Sequence, residues 1–147
     1  MDISNNPPGT IDFFFGSISA ALYLLLNVSL KLFKFIFFKK INLKDFRLTF
    51  RSKYRAADIE NKKNSIVLGA LFEISKSDEK KLDVYEDYPI LYKKFYFTYY
   101  SKKVMTYTMN NKTEFMYPTE RYLNIIWQGY KDCKIDRYNL KKILMKQ

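Results

Sequence analysis

The sequence predicts a single α+β domain, because apolar runs of strand length alternate with short segments that carry helix-capping and helix-stop signals. The chain has 147 residues, a length typical of one domain, and 48% of them are hydrophobic, which is enough for one core. The central stretch shows the pattern most clearly. There, the apolar run Ile66–Ile74 predicts a buried strand, and a helical segment follows it.

The N-terminal residues predict a short lead and then a first strand. Residues 1–10 contain Pro7, Pro8 and Gly9, a composition typical of a flexible lead, so we expect the domain to span residues 11–147. Ile11–Gly16 is a mostly apolar run that ends at a glycine, and it predicts the first strand.

The divergent apolar segment 18–40 leaves three alternatives open. Phe13–Leu30 carries no charge over 18 residues, the lower limit for a helix that crosses a hydrocarbon core of ~30 Å. Asp2 and Asp12 replace the basic start of a secretory signal and argue against one. A buried helix is favoured, and a membrane anchor or a locally shifted reading frame are the alternatives.

The next segment predicts a strand followed by a polar loop. Leu43–Phe50 shows partial apolar alternation and predicts a strand. Arg51–Asn64 is polar, and we interpret it as a loop around a short strand, Ala56–Ile59. Asp58 and Glu60 are then expected to be solvated loop charges.

A short helix with an acidic end is predicted after Ile74. Ser75 and Ser77 are candidate N-caps, and Pro89 prevents the helix from continuing. Three carboxylates lie within five residues at its end, namely Asp83, Glu86 and Asp87. Clustered like charges raise at least one carboxyl pKa, as a general base requires. On the residues alone, a solvated acidic helix end is the preferred interpretation.

The remaining chain predicts a hairpin and two helices. Alternating aromatic residues up to Tyr100, a turn at Ser101–Lys103 and a return strand at Val104–Met109 form the hairpin. Thr119 opens a helix that we expect Gly129 to end. Asp136 is expected to cap the last helix, which places Leu140, Ile143 and Leu144 toward the core.

Composition excludes several kinds of site. The chain has no histidine and one cysteine, Cys133, so zinc sites and histidine-dependent triads are not expected. An unpaired cysteine favours a reducing compartment, and we predict a cytoplasmic protein. The net charge of +11 suggests anionic partners, but the lysines are spread along the chain without a recognisable motif. Nucleic-acid binding is therefore a minor alternative.

Two stretches, VLGALFEI and KKLDVYEDYPILYKKFYF, together resemble the γ-glutamylcyclotransferase family. That family carries a strand of the form V-x-G-x-L-Y-E-L, then a helix with L-D-x-Y-E-G and a later tyrosine. Asp87 stands where the family has glycine. The matching residues are Val67, Gly69, Leu71, Phe72, Glu73, Ile74, Leu82, Asp83, Tyr85, Glu86 and Tyr92.

The resemblance implies a small, mixed, mostly antiparallel β-barrel with short surrounding helices. It also implies an enzyme without a cofactor, which cleaves a γ-glutamyl amine or amino acid by cyclising the glutamyl part to 5-oxoproline. The leaving amine stays open among γ-glutamyl amino acids, γ-glutamyl-lysine isopeptides, glutathione and γ-glutamyl-protected metabolites. The resemblance is good over residues 41–144 and weak over residues 11–17.

The resemblance assigns Glu86 as the catalytic acid/base and places Tyr92 and Tyr107 at the substrate site. The family's substrate loop reads Y-G-S-N. This chain has Phe15, Gly16, Ser17 and Ile18, so backbone donors are retained while the Tyr and Asn side chains are lost. A catalytically impaired member, membrane-attached through Phe13–Leu30, is therefore the alternative.

Overall fold

The computed structural model describes residues 10–16 and 36–145. They form five strands and three helices, in the predicted order except that one strand replaces the two predicted at Ala56–Ile59 and Ile66–Ile74. The elements are β1 (Thr10–Gly16), β2 (Ile36–Arg51), β3 (Ala56–Ser75), α1 (Lys76–Tyr85), β4 (Tyr92–Tyr99), β5 (Lys102–Met109), α2 (Glu120–Asp132) and α3 (Tyr138–Met145).

The predicted α+β class is confirmed, with one correction to the architecture. The described strands form one five-stranded sheet in the order β2-β3-β1-β5-β4. Every pairing is antiparallel except that of β1 with β5. Within the described ranges β2 and β4 are edge strands that do not pair with each other, so the expected barrel is not closed by a backbone ladder.

The predicted loop at Arg51–Asn64 is wrong, because most of it belongs to a long hairpin. Only residues 52–55 turn, and β3 is then one strand from Ala56 to Ser75. It pairs with β2 from Ala56 to Glu73, with a bulge at residues 62–65. The polar run from Glu60 to Ser65 concealed this strand. Those residues are exposed or half-buried, so they lack the apolar face by which sequence reasoning detects a strand.

Asp58 corrects a second expectation, since it is buried rather than solvated. Its Oδ1 accepts hydrogen bonds from the Met109 backbone N–H, at 2.9 Å, and from the Thr108 hydroxyl, at 3.0 Å. Its Oδ2 accepts from Lys112 Nζ at 2.6 Å. A buried carboxylate therefore joins the start of β3 to the end of β5 where no strand ladder connects them.

The predicted β4–β5 hairpin is confirmed, with a tighter turn than expected. Tyr99 pairs with Lys102, so the loop is only Tyr100 and Ser101. Both loop residues have positive φ, 45° and 62°, as a type I′ turn requires. Tyr-Ser lacks the Asn-Gly signal of such turns, which explains why the sequence placed the turn later.

Helix α2 does not end at Gly129 as predicted. Gly129 is buried within the helix, and Cys133 is the C-cap. The stop comes from Lys134, whose φ of 55° supplies the left-handed residue that glycine more often provides. The prediction that Asp136 caps α3 is confirmed, because its Oδ1 accepts the Tyr138 N–H at 2.8 Å.

The apolar segment is only partly described. Phe13–Gly16 belongs to β1 and residues 36–40 belong to β2, so neither end of the segment is helical. Residues 17–35, where the three alternatives differ, lie outside the described residues, as do residues 1–9 of the predicted lead. Among the helices that the structure describes, none is both long and apolar enough to span a membrane.

Cys133 is expected to be unreactive in the folded protein. Burial, with a smaller contribution from Asp132, raises the pKa of its thiol to about 11. A shift of that size lowers the thiolate fraction at pH 8 about 100-fold, and thiolate is the reactive form. We predict slow alkylation by iodoacetamide at pH 8 and fast alkylation of the same protein in urea. Equal rates in both conditions would contradict the burial of this thiol.

Candidate active site

Helix α1 begins where the sequence predicts, at a reciprocal cap. Ser75 Oγ accepts the Asp78 N–H at 3.1 Å and donates to Asp78 Oδ2 at 2.8 Å. Asp78 and Glu79 occupy the first turn, where the helix dipole favours negative charge. Leu82 is a buried residue of α1, and the helix packs against β1 and β3 of the sheet.

Glu86 is the C-cap of α1 and is 8% exposed. Two nested hydrogen bonds end the helix: the Asp87 N–H donates to the Val84 carbonyl, and the Tyr88 N–H donates to the Asp83 carbonyl. Asp87 is exposed and has a φ of 51°, the left-handed conformation that favours glycine. This conformation is the physical reason for glycine at this position in the L-D-x-Y-E-G pattern, where the present chain has Asp87.

Substituting Asp87 by glycine is expected to stabilise the protein by about 0.5–1 kcal/mol, because glycine adopts this φ without steric strain. Urea denaturation would measure the gain. Asp87→Asn is the matched control, since it removes the charge near the helix C-terminus but keeps a Cβ. A gain for Asp87→Gly no larger than for Asp87→Asn would assign the effect to charge rather than conformation.

The three clustered carboxylates separate in the structure. Asp87 points to solvent, whereas Asp83 is half-buried and accepts a hydrogen bond from the Tyr107 hydroxyl at 2.6 Å. Lys94 Nζ lies 2.9 Å from Asp83 and 2.7 Å from Glu79. Burial lowers the pKa of Lys94, but its bonds to these two carboxylates outweigh burial and leave the pKa raised. The predicted rise in a carboxyl pKa stays a prediction.

Glu86 lies within electrostatic range of both predicted site tyrosines. Burial is the main reason why the pKa of Tyr92 is raised, and the charges of Tyr122, Glu86 and Asp58 add to it. The pKa of Tyr107 is raised by burial, by its bond to Asp83 and further by Glu86. Glu86 therefore interacts electrostatically with both Tyr92 and Tyr107, which were assigned from separate parts of the sequence.

The hydroxyl groups of Tyr92 and Tyr107 donate to two different acceptors within the protein. Tyr92 donates to the Ala57 carbonyl at 2.7 Å, and Tyr107 donates to Asp83. Both protons are thus engaged within the protein. What the phenol oxygens offer a ligand is their lone pairs, so these groups are suited to accept hydrogen bonds from a ligand such as an ammonium.

The predicted substrate loop is described only at its beginning. Phe15 and Gly16 are the last residues of β1 and pair with Leu71 and Ala70 of β3. Helix α1 packs against both of these strands. Ser17 and Ile18 lie outside the described residues, and so does the side chain of Phe15.

Lys94 is the residue near this site that sequence reasoning missed. It is paired directly with Tyr107 across the β4–β5 hairpin, so both side chains reach α1 from the same face of the sheet. The pairing of Lys94 with Tyr107 could have been predicted from a two-residue turn at Tyr100 and Ser101, because that turn fixes the register of the hairpin. The turn predicted at Ser101–Lys103 would instead pair Lys94 with a different residue.

This α+β fold, with a buried glutamate at a helix end and two strand tyrosines within its electrostatic range, has the features expected of a γ-glutamylcyclotransferase-like protein. The family model described as gamma-glutamyl cyclotransferase, AIG2-like, matches residues 13–125. The chain belongs to this family. A search of curated proteins gave no match.

Solved structures share the fold at low sequence identity. An uncharacterized protein from Homo sapiens and a protein named gamma-glutamyl cyclotransferase each have a TM-score of 0.70 and 22% identity. The similarity covers 91% of this chain and 86% of each of them. YkqA from Bacillus subtilis has a TM-score of 0.74 and 16% identity, over 93% of this chain and 55% of its own.

Proposed function

We propose that this protein is a γ-glutamylcyclotransferase that cleaves a γ-glutamyl amine or amino acid and releases 5-oxoproline. The observation that carries the proposal is the position of Glu86, which is buried at the end of α1 and within electrostatic range of Tyr92 and Tyr107. Family membership supports the general reaction class. To this general class, the proposal adds the class of substrate and the role of Glu86 in the reaction.

The reaction joins two atoms of one substrate molecule. The α-amino nitrogen attacks the γ-carbonyl carbon, a new C–N bond closes the five-membered ring, and the original γ-amide C–N bond breaks. The α-amine must first lose a proton from its ammonium form. Glu86 accepts that proton and returns it to the departing nitrogen, which regenerates the carboxylate. The attacking nitrogen loses a second proton after the ring closes, because the lactam nitrogen keeps one hydrogen. The released amine takes up this second proton and departs as an ammonium, so no cofactor is consumed.

Asp83 is the other carboxylate near Tyr107, and its contacts make it a poorer base. Its two oxygens already accept from Tyr107 and Lys94. These bonds stabilise the carboxylate form, which opposes proton uptake. We therefore assign Asp83 as a positioning residue for Tyr107. The proton transfer is assigned to Glu86, the buried carboxylate that matches the glutamate of the family motif.

Binding must hold the substrate folded on itself, since proximity of amine and carbonyl supplies much of the rate enhancement. The phenol oxygen of Tyr107 is a suitable acceptor for the substrate ammonium, because Asp83 already takes its proton. Backbone N–H groups following Gly16 are proposed to hold the glutamyl head. They are unaffected by the loss of the family's Tyr and Asn side chains.

The direct test is release of 5-oxoproline by the full chain from a panel of γ-glutamyl amino acids, γ-glutamyl-lysine isopeptide and glutathione. Release from one member or a related set supports the proposal and defines the leaving amine. A folded protein that releases none favours the alternative, an impaired member whose loop changes at Phe15 and Ile18 have removed the activity. A cytoplasmic location remains part of the proposal.

A further inference from the structure

A second cleft lies between the β2–β3 hairpin and α3 and is separate from the Glu86 site. Its volume is about 500 Å³, a size typical of small-molecule sites. No residue of α1 or of the turn after it lines this cleft. The lining comprises Asn42, Arg47, Leu48, Lys62, Asn64, Ser65, Ile66, Leu68, Lys142 and Ile143.

The charge of this lining has one sign. Arg47, Lys62 and Lys142 contribute three cations, and none of the described residues that line the cleft is acidic. Arg47 is paired with Glu60, which lies outside the lining. Within the described part of the chain, Lys62 and Lys142 have no carboxylate partner, whereas Lys94 and Lys112 do. Two uncompensated ammonium groups therefore face the cleft from different elements.

A deformation of the β2–β3 hairpin brings the polar groups together. Lys44 pairs with Ile66 and Phe46 with Asn61, so Asp45 alone opposes residues 62–65. The Asn64 N–H donates to Asp45 Oδ1 at 2.9 Å, which holds this bulge in place. The bulge thereby presents Lys62, the Asn64 amide and the Ser65 hydroxyl to the cleft as hydrogen-bond donors.

We propose that this cleft binds a small organic phosphate. Two ammonium groups match the charge of a phosphate dianion, and the amide and hydroxyl donors suit its several acceptor oxygens. Leu68 and Ile143 supply an apolar wall for the organic part of the ligand. This inference is independent of the proposed cyclotransferase activity.

The test is calorimetric titration of the full chain with phenyl phosphate and with inorganic phosphate. Phenyl phosphate is expected to bind saturably and about tenfold more tightly than inorganic phosphate, because its ring buries apolar surface. The double variant Lys62→Gln/Lys142→Gln is expected to weaken phenyl phosphate binding at least about tenfold. Because both lysines are exposed, we expect this double variant to fold as the wild type does.

The matched control is Lys63→Gln/Lys141→Gln. These lysines are the exposed neighbours of the first pair, carry the same charge and do not line the cleft. Binding by the control within about twofold of wild type supports the site, since general attraction by a chain of +11 affects both variants equally. Equal losses in both variants, no saturable binding, or no preference for phenyl phosphate would overturn the proposal.

Discussion

Replacing Glu86 by glutamine is expected to lower 5-oxoproline release by about 10²–10⁴-fold, the range typical for loss of a positioned acid/base. Glutamine keeps the size and shape of the buried side chain but does not accept the ammonium proton. Because the change removes the proton acceptor and little else, the folded structure should persist. Turnover measured with the best substrate of the panel, together with the melting temperature, checks both statements.

Asp87→Asn is the control for this experiment. It neutralises the adjacent carboxylate, which is exposed where Glu86 is buried. We expect turnover within about threefold of wild type, since an exposed charge is screened by solvent. Wild-type turnover in Glu86→Gln would exclude Glu86 as the base. A large loss in Asp87→Asn as well would show that overall charge at the helix end, rather than one positioned group, governs activity.

The sequence predicted those helices and strands in which one face is apolar and buried. Ile66–Ile74 and the β4–β5 hairpin have strong apolar patterns, and the structure contains both. Prediction failed where the decisive feature leaves no apolar pattern. The polar start of β3 and the left-handed Lys134 after α2 are two such places. Both conformations depend on tertiary contacts or on backbone torsions that many residue types adopt.

The candidate site, like the fold, was predicted only in part from the sequence. Glu86, Tyr92 and Tyr107 were assigned through a motif resemblance, and in the structure Glu86 is within electrostatic range of both tyrosines. The bonds among Asp83, Tyr107 and Lys94 depend on hairpin register and on how α1 packs, so the sequence did not reveal them. Residues far apart in a chain share a network only once the strand pairing is known.

Asp58 provides the second large expected effect, this time on stability. Its side chain is 0% exposed and within 3.5 Å of Arg51 Nε. Replacing Asp58 by alanine leaves the buried Met109 N–H without its acceptor and Lys112 without a carboxylate partner. Arg51 then has only Glu60, a carboxylate that it shares with Arg47. Removing one partner from a buried charge network costs about 3–5 kcal/mol. Urea unfolding at pH 7 would measure the loss.

Two further variants separate the causes of that loss. Asp58→Asn keeps an oxygen to accept the Met109 N–H and removes only the charge, so its loss should be smaller than that of Asp58→Ala. Asp45→Asn is the exposed control; it retains an acceptor for the Asn64 N–H and should change stability by about 0.5 kcal/mol or less. If Asp58→Ala costs no more than this control, side-chain bonding does not hold β3 to β5. The apolar packing between these strands would then suffice to hold them together.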